Sequence, residues 1–200
     1  MNLPFSNESS FKMPYTSPDI VRLLTNRLTE HFKQASAAQP LVIVCIGTDR
    51  STGDSLGPLL GTALSKYNST AFHLFGTLEE PVHAMNLAET IDHIQTAFQN
   101  PYIVGIDACL GQVASVGCVQ VGLGPVRPGA GVNKELPPVG DIHITGIVNV
   151  GGFMEYFVLQ NTRLHLVVKM SEVISRSLYL SIHARSYRDA STHTAATYQG

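Results

Sequence analysis

Two uninterrupted apolar runs are the clearest feature of the hydrophobic pattern. The first, LVIVCI at residues 41–46, stops at Gly47, and the second, YIVGI at residues 102–106, stops at Asp107. Continuous runs that are rich in β-branched residues and bounded by turn residues are typical of strands buried on both faces of a parallel sheet. Both runs are therefore predicted to be central strands.

Apolar residues at helical spacing occupy much of the remaining chain. A stripe of Ile20, Leu23, Leu24 and Leu28 follows Ser17-Pro18-Asp19, a sequence typical of a helix start. Further helical patterns cover residues 57–66, 83–98, 152–161 and 170–185. Additional strands are predicted at residues 71–75 and 164–168, and the alternation within residues 113–122 indicates an added strand, antiparallel to the others.

Strands that alternate with helices predict a three-layer α/β/α fold with a mostly parallel central sheet. We expect one such domain over residues 18–185. Residues 1–17 are rich in Ser, Asn and Pro without periodicity, and are predicted to form a flexible arm. The polar stretch at residues 186–200 is predicted to be a flexible tail.

Composition and charge narrow the class of protein. The 200 residues are 44% hydrophobic and only 14% charged, as expected of a compact globular chain. The formal net charge of −2 provides no basic field for nucleic acid. We expect neither a membrane-spanning helix nor a secretory signal. Three cysteines without C-x-x-C spacing favour a reducing, cytoplasmic compartment.

Two carboxylates follow the two predicted central strands. Ligand and catalytic sites of parallel sheets form at the carboxyl ends of the strands, where Asp54 and Asp107 are expected to lie. Neighbouring carboxyls can share a proton, so that one acts as a base and the other as an acid. The alternative, a helix-capping or turn role for each aspartate, remains open at this level.

The stretch TGDSLG at residues 52–57 also fits the G-x-S-x-G pattern of a serine nucleophile, Ser55. It lies eight residues beyond the strand end rather than directly after it, and a matching Asp-x-x-His pair is absent from the sequence. A phosphate-binding loop is disfavoured, because Asp54 stands where such a loop carries its lysine. A nucleophilic role for Cys109 is disfavoured too, since no histidine is nearby in the sequence.

Four segments in order resemble one known superfamily. They are IGTDRSTGDSLGP, FGTLEEPVHAMNLAETI, YIVGIDACLG and GPVRPGAGVNKELPPVGDIHITGI, within residues 40–185. The pattern resembles the germination protease and hydrogenase-maturation protease superfamily, and within it the YyaC-type sporulation proteins of spore-forming bacteria. This resemblance implies an α/β/α fold and an acidic site. It also implies a location in the cytoplasm of the forespore or in the spore core.

The resemblance assigns roles to particular residues. Asp54, in a Gly-Asp-Ser-Leu-Gly-Pro context, and Asp107, in an Ile-Asp-Ala context, match the two aspartates assigned to catalysis in the germination protease branch. We expect the protein to need no cofactor, with a divalent metal as the alternative. In the hydrogenase-maturation branch, acidic residues at these places and a later histidine contact nickel, which makes Asp54, Asp107 and His143 the candidate ligands of a divalent metal.

Other residues are expected to shape the site or to contact substrate. Gly47, Gly53 and Gly57 would allow a peptide backbone to approach the Asp54 loop closely. Asn133 and Lys134 lie in a long Gly/Pro-rich loop, residues 124–140, which is either a substrate-contacting flap or a simple connection. Glu79 and Glu80 either border the cleft or begin a helix.

These observations predict an endopeptidase-like hydrolase that uses two aspartates on a protein substrate during sporulation or germination. Small spore proteins are the expected substrate class, with no nucleic acid or membrane as partner, and a homo-oligomer remains open. Two alternatives stay open as well. One is a catalytically silent interaction module of the same fold, and the other is a metal-dependent, maturation-type peptidase.

Overall fold

The computed structural model describes residues 11–36, 38–129 and 136–197, with side chains as far as Arg185. The strands are β1 (Phe11–Pro14), β2 (Leu41–Cys45), β3 (His73–Phe75), β4 (Tyr102–Gly111), β5 (Cys118–Leu123) and β6 (Ile142–Val150). The helices are α1 (Ile20–Phe32), α2 (Leu56–Ser65), α3 (Leu87–Ala97), α4 (Glu155–Gln160) and α5 (Leu164–Thr197). A short 3-10 helix, Val113–Ser115, joins β4 to β5.

The strands form one mixed sheet in the order β1-β5-β6-β4-β2-β3. β3, β2, β4 and β6 are parallel, whereas β5 runs antiparallel to both β6 and β1. Helices cover both faces, which confirms the predicted three-layer α/β/α architecture with a mostly parallel sheet. The added antiparallel strand predicted within residues 113–122 is also confirmed, as β5.

Two apolar cores lie on opposite faces of the sheet. The larger core joins α1, α2 and α5 to one face, and its fully buried side chains include Leu24, Leu60 and Ile174. The smaller core packs Leu87 and Ile94 of α3 against the other face, over β2. Residues of β2 alternate between these cores, which explains why this strand is apolar at every position.

The strand predicted at residues 164–168 is wrong, because those residues begin α5. Buried residues continue from Val167 through Met170, Ile174, Leu178 and Ile182 at helical spacing, so the short apolar run is the first turn of a long amphipathic helix. The parallel strand that follows β4 in the sheet is instead β6, for which the sequence analysis predicted no strand.

Both predicted flexible ends need correction. Residues 11–14, expected in the flexible arm, form edge strand β1, which pairs with β5 through Phe11–Val121 and Met13–Val119. The backbone of α5 continues to Thr197, well into the predicted tail. No proline or glycine occurs within residues 186–197, so nothing in the sequence terminates the helix earlier. None of the described helices combines the length and apolar character needed to cross a bilayer.

Candidate active site

A tight loop between β2 and α2 carries Asp54 at the carboxyl edge of the sheet. The N–H of Thr48 donates to the Asp54 carbonyl at 3.2 Å, and the N–H of Ser55 donates to the Ser51 carbonyl at 3.0 Å. These bonds fold the loop back on itself before the helix begins. The Asp54 side chain is half-buried at this position.

Glycines allow this loop to press directly against the end of β2. A Cβ at Gly47, which has φ of 148°, would lie 1.9 Å from the Asp54 carbonyl oxygen. A Cβ at Gly57 would lie 2.1 Å from the Ile46 carbonyl oxygen. No side chain fits at such separations, so both positions require glycine. Gly53 has a different role, since its N–H donates to the Leu159 carbonyl at 2.9 Å and ties the loop to α4.

Asp107 lies within β4 rather than at its end. The strand was predicted to stop at Asp107, but it continues to Gly111, with an irregular register after Cys109. The last β2 residue, Cys45, pairs with Ile106, so Asp107 is the first β4 residue beyond the end of β2. This offset places Asp107 at the carboxyl edge of the sheet, where it is close enough to Asp54 for the charge of that residue to affect it.

The two carboxyls differ in their protonation. Burial is the main cause that raises the pKa of Asp107 to about 8. The Ala108 N–H, which donates to Oδ1 at 2.8 Å, lowers this pKa, and the charge of Asp54 raises it. Burial also raises the pKa of Asp54, opposed by the Ser51 hydroxyl. Asp54 is the less deeply enclosed of the two. At neutral pH, Asp107 is therefore mainly the acid, and Asp54 is the group that ionises first.

The raised pKa of Asp107 makes stability depend on pH. Because the native state holds this proton more tightly than the unfolded chain, the contribution of Asp107 to stability is full below about pH 4 and is lost as pH rises toward 8. Asp107→Asn removes the titration while keeping an oxygen for Ala108. The free energy of unfolding of the variant should exceed that of wild type by a few kcal/mol at pH 9. Urea unfolding at several pH values measures the difference.

The matched control for this measurement is Asp92→Asn, which neutralises an exposed carboxyl on α3. We expect its stability to follow that of wild type across the pH range. A difference between Asp107→Asn and wild type that is equal at pH 4 and pH 9 would contradict the buried, protonated state of Asp107.

Ser55 is not placed as a nucleophile. Its hydroxyl is buried and donates to the Thr52 carbonyl at 2.7 Å, rather than facing an open cleft. Ser55 also occupies the N-cap position of α2, although its side chain does not cap the helix amides. The helix-capping role considered for Asp54 is therefore wrong, because the N-cap residue of α2 is Ser55 and Asp54 precedes it.

The candidate metal ligands do not form a three-donor set. His143 lies on the same face as Asp107, one row of the sheet away, but its Nδ1 is 2.9 Å from the Gly124 carbonyl and its ring packs over Gly122. Across the part of the chain with described side chains, no three His, Cys, Asp or Glu residues are grouped to hold a metal ion. We therefore derive no reaction step through a metal.

Cys109 and Thr145 are the nearest polar neighbours of Asp107 on this face. Burial is the main effect on the Cys109 thiol, and it raises the pKa of that group. The hydrogen bond with the Thr145 hydroxyl and the charge of the Lys12 ammonium lower this pKa, whereas the charge of Asp107 raises it. A thiol with a raised pKa is a poor nucleophile, which agrees with the prediction from sequence. The three cysteines are free thiols.

Two other sets of predicted residues have different outcomes. Asn133 and Lys134 fall outside the described residues, so their expected contact with substrate remains a prediction. Glu79 and Glu80 are exposed and precede α3 by several residues, so they do not begin that helix. Glu80 lines a cavity of about 440 Å³ beside β3, together with Thr77 and His83, but neither aspartate lines this cavity.

A cluster of exposed apolar side chains beside the site was missed by the sequence analysis. Phe153, Met154, Tyr156 and Phe157, here called the aromatic rim, are between 56% and 91% exposed. The backbone of α4 is anchored behind them, through Leu159 to the Gly53 loop and through Asn149, whose amide donates to the Val158 carbonyl at 3.2 Å. The signal was present as FMEYF at residues 153–157, which had been interpreted only as part of the helical pattern over residues 152–161.

Comparisons with known proteins agree with the motif-based resemblance to YyaC-type proteins. The chain is 51% identical over 179 residues to the uncharacterized protein YyaC of Bacillus subtilis (strain 168), covering 88% of this chain and 87% of that protein. The crystal structure of the [NiFe] hydrogenase maturation protease HycI from Thermococcus kodakarensis KOD1 matches 76% of this chain and 99% of its own, with 17% identity and a TM-score of 0.48. The model of the family described as protein of unknown function (DUF1256) matches residues 12–177, and the chain therefore belongs to that family.

Proposed function

We propose that this protein is an aspartate-dependent, endopeptidase-like hydrolase that acts on a protein substrate during sporulation or germination. The observation that carries the proposal is the pair formed by Asp54 and Asp107 at the carboxyl edge of the sheet. One member of the pair holds a proton to about pH 8, and the other is less deeply enclosed and ionises first. Titratable pairs with separated pKa values are the usual arrangement for acid and base catalysis.

The two carboxyls divide the chemistry of peptide hydrolysis between them. Ionised Asp54 takes a proton from a water molecule, whose oxygen forms a bond to the carbonyl carbon of the peptide. The C–N bond then breaks, and protonated Asp107 donates its proton to the leaving amine nitrogen. The products are a carboxyl and an amine, and exchange with solvent returns the proton from Asp54 to Asp107.

The surroundings of the pair suit a polypeptide better than a small polar molecule. The aromatic rim offers large apolar side chains next to the Asp54 loop, and exposed aromatic residues are favoured at surfaces that bind proteins. The link between Gly53 and Leu159 connects this rim directly to the loop that carries Asp54. The setting in sporulation and the spore-protein substrate rest on the resemblance to the YyaC-type proteins.

The test is to incubate the purified protein with a protein extract of spores and to map new N-termini by mass spectrometry. Reproducible new termini, absent without the protein, are the expected result. A silent map, obtained while a germination protease run in parallel cleaves the same extract, would overturn the hydrolase proposal. That outcome would favour the catalytically silent interaction module, because the same surface would then bind a partner protein without cleaving it.

The protonation states predict a bell-shaped dependence of kcat/KM on pH. The rate should rise at acidic pH as Asp54 loses its proton, because its ionised form is the base. It should fall above about pH 8, because Asp107 then lacks the proton that the leaving amine requires. Initial rates with one mapped peptide substrate, measured from pH 4 to pH 10, give the profile.

A rate that keeps rising above pH 9 would contradict the role of Asp107 as the acid. Circular dichroism at each pH separates a true titration from unfolding at the extremes. Asp92→Asn again provides the matched control, since its profile should coincide with that of wild type.

A further inference from the structure

Four polar residues form a straight row across one face of the sheet. Lys12 of β1 pairs with Gln120 of β5, Gln120 pairs with Thr145 of β6, and Thr145 pairs with Asp107 of β4. Residues that are directly paired on neighbouring strands project from the same face of a sheet. The row therefore begins at a catalytic candidate and ends at an ammonium group on the edge strand.

The behaviour of Cys109 supports this placement independently. The Thr145 hydroxyl, the charge of Asp107 and the Lys12 ammonium all act on the pKa of the Cys109 thiol. These groups therefore surround one region of the sheet face. The Lys12 side chain therefore lies on the same face of the sheet as Cys109, with its ammonium held by the Ser115 hydroxyl.

The ammonium of Lys12 has donors to spare. Nζ donates to the Ser115 hydroxyl at 2.5 Å, and Lys12 takes part in none of the ion pairs found among the described residues. An ammonium carries three donors, so two remain for a ligand. The Ser115 contact holds the side chain in place, which lowers the entropy lost when a ligand binds.

We propose that Lys12 recognises a carboxylate of the substrate, with Gln120 and Thr145 forming the polar floor between it and the cleaved bond. This inference rests on the proposed function and specifies its substrate class, a peptide with an acidic group at a set distance from the reacting bond. Three strand spacings of about 4.8 Å lie between the backbones of Lys12 and Asp107, so these backbones are about 14 Å apart. An extended chain covers that distance in about four residues.

The test measures binding rather than cleavage. Asp54→Asn protein is titrated with fluorescein-labelled decapeptides that have a central leucine and one Glu placed two, four or six residues to either side. Each peptide has a twin in which Gln replaces Glu, and anisotropy gives the Kd. We expect the Glu peptide to bind about fivefold tighter than its Gln twin at a distance of four residues, on one side only.

Variants in the same background assign that preference to Lys12. Lys12→Met should abolish the preference for Glu and leave the Kd of the Gln peptides unaffected. Lys12→Arg should retain the preference. Lys66→Met, which alters an exposed lysine after α2, should leave the Kd of every peptide unchanged. Lys12→Gln replaces Lys12→Met if the latter fails to fold. Equal weakening of Glu and Gln peptides, or no preference at any position, would overturn the proposal. A preference for Glu in the Asp54→Asn background, found together with a wild-type protein that cleaves nothing, would support the recognition of a carboxylate by Lys12 and refute the hydrolase.

Discussion

Replacement of Asp54 by asparagine is expected to lower kcat/KM for a mapped peptide about a thousandfold, with little change in the fold. An asparagine cannot accept a proton from the attacking water, and acid–base groups contribute about 10²- to 10⁴-fold to rates. The loop should persist, because its closing bonds use the backbone of Thr48, Asp54 and Ser51 rather than the carboxylate. Rates of cleavage and thermal unfolding curves measure the two effects separately.

Ser55→Ala is the matched control for this substitution. It alters the adjacent residue and removes one hydroxyl that donates to the Thr52 carbonyl, so a modest loss of stability and a nearly unchanged rate are expected. Loss of cleavage in Ser55→Ala with full activity in Asp54→Asn would refute the aspartate mechanism and support a serine hydrolase.

The elements predicted well from the sequence are those whose local pattern matches their burial in the fold. β2 and the first half of β4 are buried on both faces, so each appears as an unbroken apolar run that has few other interpretations. The helices α1 and α2 bury one stripe against the same core, and both were visible as helical patterns, α1 with its start signal Ser17-Pro18-Asp19. Local pattern and tertiary environment agree in these segments.

The elements predicted poorly lie where one face is polar or where the pattern is short. β6 carries His143 and Thr145 on the open face and Gly146 opposite, so its pattern alternates weakly. A Cβ at Gly146 would lie 2.3 Å from the end of the Leu56 side chain of α2, which is a contact that no local pattern reveals. β1 is stabilised by pairing with β5, more than 100 residues away, and its four residues have no period of their own.

The candidate site was predictable only in part for the same reason. Asp54 follows β2, and Asp107 lies in the neighbouring strand β4 just beyond the end of β2, so the general rule for parallel sheets places both at the same edge. Lys12, Gln120 and Thr145 join them only through the strand order and register, which a single sequence does not provide. The same strand order sets His143 one row away from Asp107, on a strand whose place in the sheet the sequence left open.

Gly57→Ala is expected to destabilise the protein by about 3 kcal/mol, the largest effect on stability among the substitutions considered. The added Cβ would lie 2.1 Å from the Ile46 carbonyl oxygen and 2.8 Å from its carbon, and these backbone atoms cannot move without disturbing β2. Alanine favours a helix by about 1 kcal/mol relative to glycine, which offsets only part of the overlap. Thermal unfolding should show the melting temperature lowered by about 6–12 °C.

Gly151→Ala is the control, since its Cβ would meet nothing closer than 3.4 Å and should change stability by about 0.5 kcal/mol or less. Equal melting temperatures for the two variants would contradict the close packing of α2 on the end of β2. The position also links stability to the site, because the start of α2 follows Asp54 by two residues. Any folded Gly57→Ala protein must shift that start to relieve the overlap, so its kcat/KM should fall together with its stability, whereas Gly151→Ala should retain both.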